Sequence, residues 1–266
     1  MEQEKTRIFV AVTAADAPGA QGLGLPALGL YYRIGETGGL QRAQLQLSPR
    51  GGLMGLFDAP GLGRCQPEKL ARDIQAECSR RGYRGAVMDF AVNEDDLPRL
   101  EQLCGSLQKL GVRVYVPEPL WRWAGEQAVV IAPAAVSGGE FDGLLQALIS
   151  RYGAEHLCLD VVRCCQDFPM PARNADGVRL DHRAFHELLE RTGAQSFFSP
   201  QLCCKYFTYR QEDGAVHFVL FDDADTASAK LERIRQAGIG QALLLCGRSR
   251  PKFIGGERAH YQPELK

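Results

Sequence analysis

Eight short apolar runs, most of them separated by amphipathic helical segments, constrain this chain more than any other feature. They are residues 7–13 (RIFVAVT), 27–33 (ALGLYYR), 52–57 (GLMGLF), 85–90 (GAVMDF), 112–117 (VRVYVP), 127–132 (QAVVIA), 157–162 (LCLDVV) and 241–246 (QALLLC). Most are solidly apolar rather than alternating, the pattern of parallel strands covered on both faces. Between them, residues 67–81 carry Pro at the expected first turn, apolar residues at 70, 74 and 78, and arginines at the end. Residues 96–110 place Leu97, Leu100, Leu103, Leu107 and Leu110 at helical spacing. Segments 140–152, 181–191 and 223–237 repeat the pattern, the last running into Gly238.

Strand–helix alternation over this length predicts a (β/α)8 barrel, residues 1–266 forming one domain. A doubly wound open sheet is the alternative. The glycines at 22, 24 and 29 do not form GxGxxG at a strand-to-helix turn, so a dinucleotide fold gains no support. Two segments break the alternation. Residues 31–47 read as a strand extended into a hairpin turning at GETGG, and residues 194–222 read as a strand and a second hairpin around Asp213-Gly214. The second block forms a small α+β insertion before the last strand.

Composition narrows the function classes. A formal net charge of -1 gives no general nucleic-acid footprint. The longest apolar runs, such as 127–136, are far too short to span a bilayer. The start MEQEKTRIFVAV passes directly from charged residues into a strand, without the apolar segment of a signal peptide, which predicts a cytoplasmic protein. Nine cysteines include the adjacent pairs Cys164–Cys165 and Cys203–Cys204 but no CxxC, and no spacing fits a zinc site. Cys158 and Cys246 lie in apolar runs and read as small buried residues. The two pairs are reduced thiols, with redox activity or a soft metal as the alternative. No organic cofactor or metal is implied. Ser137-Gly138-Gly139 is a weak anion-site signal before a helix.

The fourth run carries a more specific signal. YRGAVMDFA, residues 83–91, resembles the fourth strand of family-18 glycoside hydrolases, whose pattern is D-G-x-D-x-D-[WF]-E. Arg84 stands at the first Asp, Gly85 at the Gly, Val87 at the second Asp, Asp89 at the third, Phe90 at the aromatic and Ala91 at the catalytic Glu. The stretch from KYFTYR to QALLL, residues 205–245, is similar to the end of that family's spore-germination and cortex-lytic branch. The likeness covers most of residues 50–247. It implies a barrel acting on, or binding, glycan that contains N-acetylglucosamine, peptidoglycan fragments included, and a place in the spore.

In that family one Glu protonates the leaving oxygen while the sugar's own acetamide attacks and a neighbouring Asp orients it. Here the proton donor is replaced by Ala91. Residues 129–136 hold neither the Tyr nor the Asp expected at the sixth strand, and Leu244 stands at the Trp of the last. These departures imply a degenerate hydrolase that keeps a glycan-binding role. The alternative is an active glycoside hydrolase with relocated carboxylates, Asp89 with Glu118 at the end of the fifth strand or with Glu94 in the loop after the fourth. Asp58 and Asp160, near strand ends, and Trp121, whose ring can stack on sugar, complete the expected ligand-binding set.

Overall fold

The computed structural model describes residues 6–12, 20, 22–43, 48, 50–136, 139–161, 164–171 and 177–245. Ser137, Gly138 and Cys246 lie outside the described residues. In chain order the first elements are β1 (Arg7–Val12), β2 (Ala27–Ile34), β3 (Leu40–Arg42), β4 (Leu53–Asp58), α1 (Pro67–Arg81), β5 (Gly85–Met88) and α2 (Leu97–Lys109). They are followed by β6 (Arg113–Pro117), α3 (Trp121–Ala124), β7 (Val129–Pro133), α4 (Phe141–Tyr152) and β8 (Leu157–Val161). The remainder is β9 (Cys165–Met170), β10 (Val178–Arg179), α5 (His182–Thr192), β11 (Phe197–Ser199), β12 (Cys204–Arg210), β13 (Val216–Phe221), α6 (Ala224–Gln236) and β14 (Gln241–Leu245).

Strands β1, β14, β8, β7, β6, β5, β4 and β2 follow one another round a sheet, and parallel pairing of β1 with β2 closes it. Closure excludes the open doubly wound sheet and makes this a (β/α)8 barrel. All eight barrel strands coincide with the eight apolar runs. The hairpin also forms: β3 lies antiparallel on β2, with Gly35 N–H donating to Gly39 O at 2.9 Å and Gly38 N–H to Gly35 O at 2.8 Å. Gly38 sits at φ +79, and a Cβ there would come within 2.6 Å of Cys65 Cα, so glycine is required on both counts.

The chain divides into two compact units. Among the described residues, one takes in those up to Ala132, Tyr152–Asp160 and those from Ile239 onward. The other takes in Pro133–Arg151 and Val161–Gly238.

In the first unit the two-residue period of each strand sorts side chains into two cores. Phe9, Ala11, Leu28, Leu53, Val87, Tyr115, Val129, Ile131, Cys158 and Leu243 fill the barrel interior. Met54, Leu56, Ala86, Met88, Val114 and Val116 point the other way, onto Leu70, Ile74 and Cys78 of α1 and Leu100, Leu103 and Leu107 of α2. Each such large apolar side chain contributes roughly 1.5–3 kcal/mol when fully buried. Helix α1 starts with Pro67 at its first turn and ends at Gly82, φ 74, a left-handed C-cap. Leu110, expected on the α2 stripe, falls just past the helix end and is exposed.

The second unit is built on an antiparallel sheet ordered β10, β9, β13, β12, β11. Phe185 and Leu189 of α5 pack with buried Leu188 against Phe207, Val219 and Phe221 of the sheet. The 194–222 segment supplies β11, β12 and β13, with the expected hairpin turn between the last two. The same sheet also includes β9 and β10 upstream. The β9 sequence, CQDFPM, lacks an apolar run, and β10 is two residues long, so neither reads as strand. Asp223 opens α6 with a reciprocal capping box, its side chain accepting from Thr226 N–H while Thr226 Oγ1 accepts from Asp223 N–H. Among the described residues no helix is long and apolar enough to cross a membrane.

Candidate functional site

Strand β5 delivers Asp89 to the end of the barrel wall. Asp89 N–H donates to Leu56 O at 2.9 Å, extending the β4–β5 ladder by one residue past Met88. Because Val87 faces the interior, strand alternation turns Asp89 inward as well, in the register expected of it. The residue is 2% exposed, and its Oδ2 has no hydrogen-bond partner among the described residues.

A carboxyl group in that position resists ionisation. Burial first, and the charge of Asp160 second, push the Asp89 acid up to about 7. Asp160 reaches the same interior from β8, two residues beyond the interior-facing Cys158, and is itself buried. In the sheet β7 and β6 lie between β8 and β5, so the two carboxylates approach across the barrel rather than along its wall. The pair is therefore a product of closure. It amounts to a buried acid that gains or loses its proton near neutrality, with one oxygen unengaged.

The other expected site residues lie elsewhere. Glu118 begins a 3-10 turn after β6, and its Oε1 accepts from Tyr152 Oη at 2.8 Å. Trp121 sets its ring edge-on against the Tyr152 ring at 4.9 Å and packs onto the outer core between wall and helices. Trp123 packs onto the same outer core. Asp58 continues the outward register of Met54 and Leu56 and pairs with Arg33 at 3.7 Å, both side chains substantially exposed. Glu94 is exposed in the 3-10 turn Glu94–Asp96. Ala91 is exposed two residues beyond Asp89.

The structure thus brings together Asp89 and Asp160, two residues singled out individually, and separately joins Glu118 to Trp121 through Tyr152. Leu244 needs correction as the counterpart of an inward-facing Trp. It pairs with Val10, which packs with Val12 and Ala20 in a small cluster apart from the interior one, while Leu243 occupies the interior. A one-residue offset moves a side chain to the opposite face.

Among the described residues, seven cysteines behave as packing residues. Burial pushes the Cys78, Cys104, Cys165 and Cys204 thiols up to about 12, and raises Cys65, Cys158 and Cys203 as well. Thiolates are the reactive and metal-binding form, so these shifts work against both chemistries. Among the described residues no group of three or more His, Cys, Asp or Glu side chains is arranged to hold a metal ion.

No protein-family model matches the sequence, and a sequence search of curated proteins finds no match. Solved structures do match. The Bacillus cereus spore cortex-lytic enzyme SleL superposes with a TM-score of 0.66 at 14% identity, over 94% of this chain and 73% of that one. A chitinase from Chromobacterium violaceum gives 0.61 at 15% identity, over 93% and 96%. A class V chitinase from Nicotiana tobaccum in complex with NAG4 gives 0.59 at 9% identity, over 90% and 93%. At such identities the likeness establishes architecture alone: the chain shares its closed eight-stranded parallel barrel with these enzymes.

Proposed function

We propose that this protein binds N-acetylglucosamine-containing glycan or a cell-wall fragment at the strand ends of its barrel and does not hydrolyse it. The observation that carries the reading is the end of β5. Asp89 keeps its inward place, whereas two residues on, at the proton donor's position in the family pattern, stands the exposed Ala91. Without that donor the leaving oxygen receives no proton, a loss of roughly 10²–10⁴-fold from this step alone. Binding needs less. The unengaged Oδ2 of Asp89, protonated near neutrality, can donate to or accept from a sugar amide or hydroxyl. The names of the structural neighbours, cortex-lytic enzymes and chitinases, one of them in complex with NAG4, supply the ligand class.

The rival, an active hydrolase built on Asp89 with Glu118 or Glu94, draws less support. Glu118 accepts from Tyr152, and the carboxylate that perturbs Asp89 is that of Asp160. Calorimetric titration with N-acetylglucosamine oligomers and peptidoglycan fragments tests the proposal, alongside an aryl-glycoside hydrolysis assay. Saturable binding, weakened by Asp89→Ala and with no measurable turnover, is expected. Turnover abolished by Asp89→Asn or Glu118→Gln would establish the rival, and absence of binding to every glycan tested would overturn both.

A further inference from the structure

Helix α5 of the second unit carries two histidines one turn apart, His182 and His186, both exposed. Residues at i and i+4 share a helix face, which explains their proximity but not their orientation. The two Nε2 atoms face each other at 3.2 Å, with ring centroids 4.3 Å apart. His186 is held in that orientation from beneath. Its ring meets the Phe185 ring edge-on at 5.3 Å, and Phe185 in turn packs on Phe221 at 4.8 Å in the sheet core. The second imidazole is therefore placed by the fold.

We propose that His182 and His186 form a two-ligand chelate for a borderline divalent transition-metal ion of the nickel, copper or zinc class. Metal–imidazole bonds of about 2.0–2.1 Å reaching two nitrogens at this separation subtend roughly 100–105° at the ion, close to the tetrahedral angle. Neutral imidazole is a preferred ligand for this class of ion. Exposure of both rings leaves the remaining coordination positions to water. The helix N-terminus opposes a cation here, because its free N–H groups carry partial positive charge. Asp181, whose side chain caps the helix by accepting from Ala184 N–H at 2.8 Å, and Glu187 on the next turn place negative charge alongside and offset it. Glu187 is itself paired with Arg183 at 2.7 Å.

Calorimetric titration of the full chain with Ni²⁺ alone tests the site. A His182→Gln/His186→Gln variant defines the background, since it retains every cysteine and a polar helix surface. The wild type is expected to bind one more equivalent than this variant, and either single substitution should weaken that equivalent at least tenfold. Identical isotherms for wild type and double variant would overturn the proposal. So would undiminished binding in the single variants, which would mean that one imidazole suffices and no chelate forms. Far-ultraviolet circular dichroism of each variant confirms that α5 is intact.

Discussion

Asp89 and Asp160 approach each other across the interior of the barrel, and burial together with the Asp160 charge lifts the Asp89 acid to about 7. The consequence for stability has a definite sign. An unfolded Asp titrates near 3.9, so between about pH 4 and 7 the folded state holds a proton that the unfolded chain has released. Stability contributed through Asp89 therefore falls as pH rises through that window.

Asp89→Asn should remove this dependence. Urea unfolding at pH 5 and pH 8 is expected to show a wild-type loss at the higher pH that the variant lacks. The gain for the variant at pH 8 should be on the order of 1–3 kcal/mol, below the limit set by a shift of about three pH units. An equal pH dependence in both proteins would mean that Asp89 ionises as an ordinary carboxyl.

Ala91→Glu tests the missing proton donor. Position 91 is exposed, so the substitution should leave stability within roughly 0.5 kcal/mol of wild type. Release of aryl alcohol from glycosides of N-acetylglucosamine oligomers should remain undetectable or rise by less than about tenfold, because Val87 supplies no second carboxylate beside it and catalytic groups act as a unit. Recovery approaching the 10²–10⁴ range of general acid catalysis would show that the rest of the machinery is present after all.

Glu77 should behave in the opposite sense to Asp89. It is buried on α1, where its Oε1 accepts from Tyr32 Oη at 2.8 Å, and Arg42, Arg80 and Arg81 surround it. Burial is the largest influence and raises its acid, but hydrogen bonds from Arg80 and Tyr32 and the charges of Arg80 and Arg42 outweigh it and hold the acid below its ordinary value. Its contribution is full above the ordinary Glu range and is lost as pH falls through the depressed value. Glu77→Ala is expected to cost roughly 2–4 kcal/mol at pH 7, by leaving the Tyr32 hydroxyl and the half-buried guanidinium of Arg81 without their acceptor. Unfolding curves at pH 7 and pH 4 should show the gap from wild type narrowing at the lower pH.

In the second unit, Lys230 of α6 and Asp222 form a buried ion pair at 2.7 Å, and the same Asp222 oxygen accepts from Cys164 N–H at 2.7 Å. Lys230→Met removes one charge and leaves the other in the core, so a loss of about 3–5 kcal/mol is expected. Lys230→Met with Asp222→Leu should recover much of it, though Cys164 N–H then lacks its side-chain acceptor. Chemical denaturation of the three proteins gives the coupling directly, and additive losses would argue against the pair acting as a unit.

The eight barrel strands were legible because a parallel strand covered on both faces must be apolar along its whole length, and eight such runs stand out. Helices α1 and α2 were legible from Pro67, the closing arginines and the apolar residues at helical spacing, since end signals and periodicity are local properties. The inward register of Asp89 followed from the same two-residue period that turns Val87 inside. Strand β9 was hidden: Asp167 and Pro169 weaken its strand signal, and pairing with β13 compensates in a way that its own residues do not announce. Two assignments belonged to tertiary structure alone. Leu243 rather than Leu244 faces inward because pairing with β1 sets the register, and a strand of uniform leucines carries no mark of which side is which. The Asp160 charge reaches Asp89, while Glu118 accepts from Tyr152, because closing the barrel brings within electrostatic range residues 71 positions apart in the chain (160 − 89). No local propensity records that proximity, and the chemistry of the candidate site depends on it.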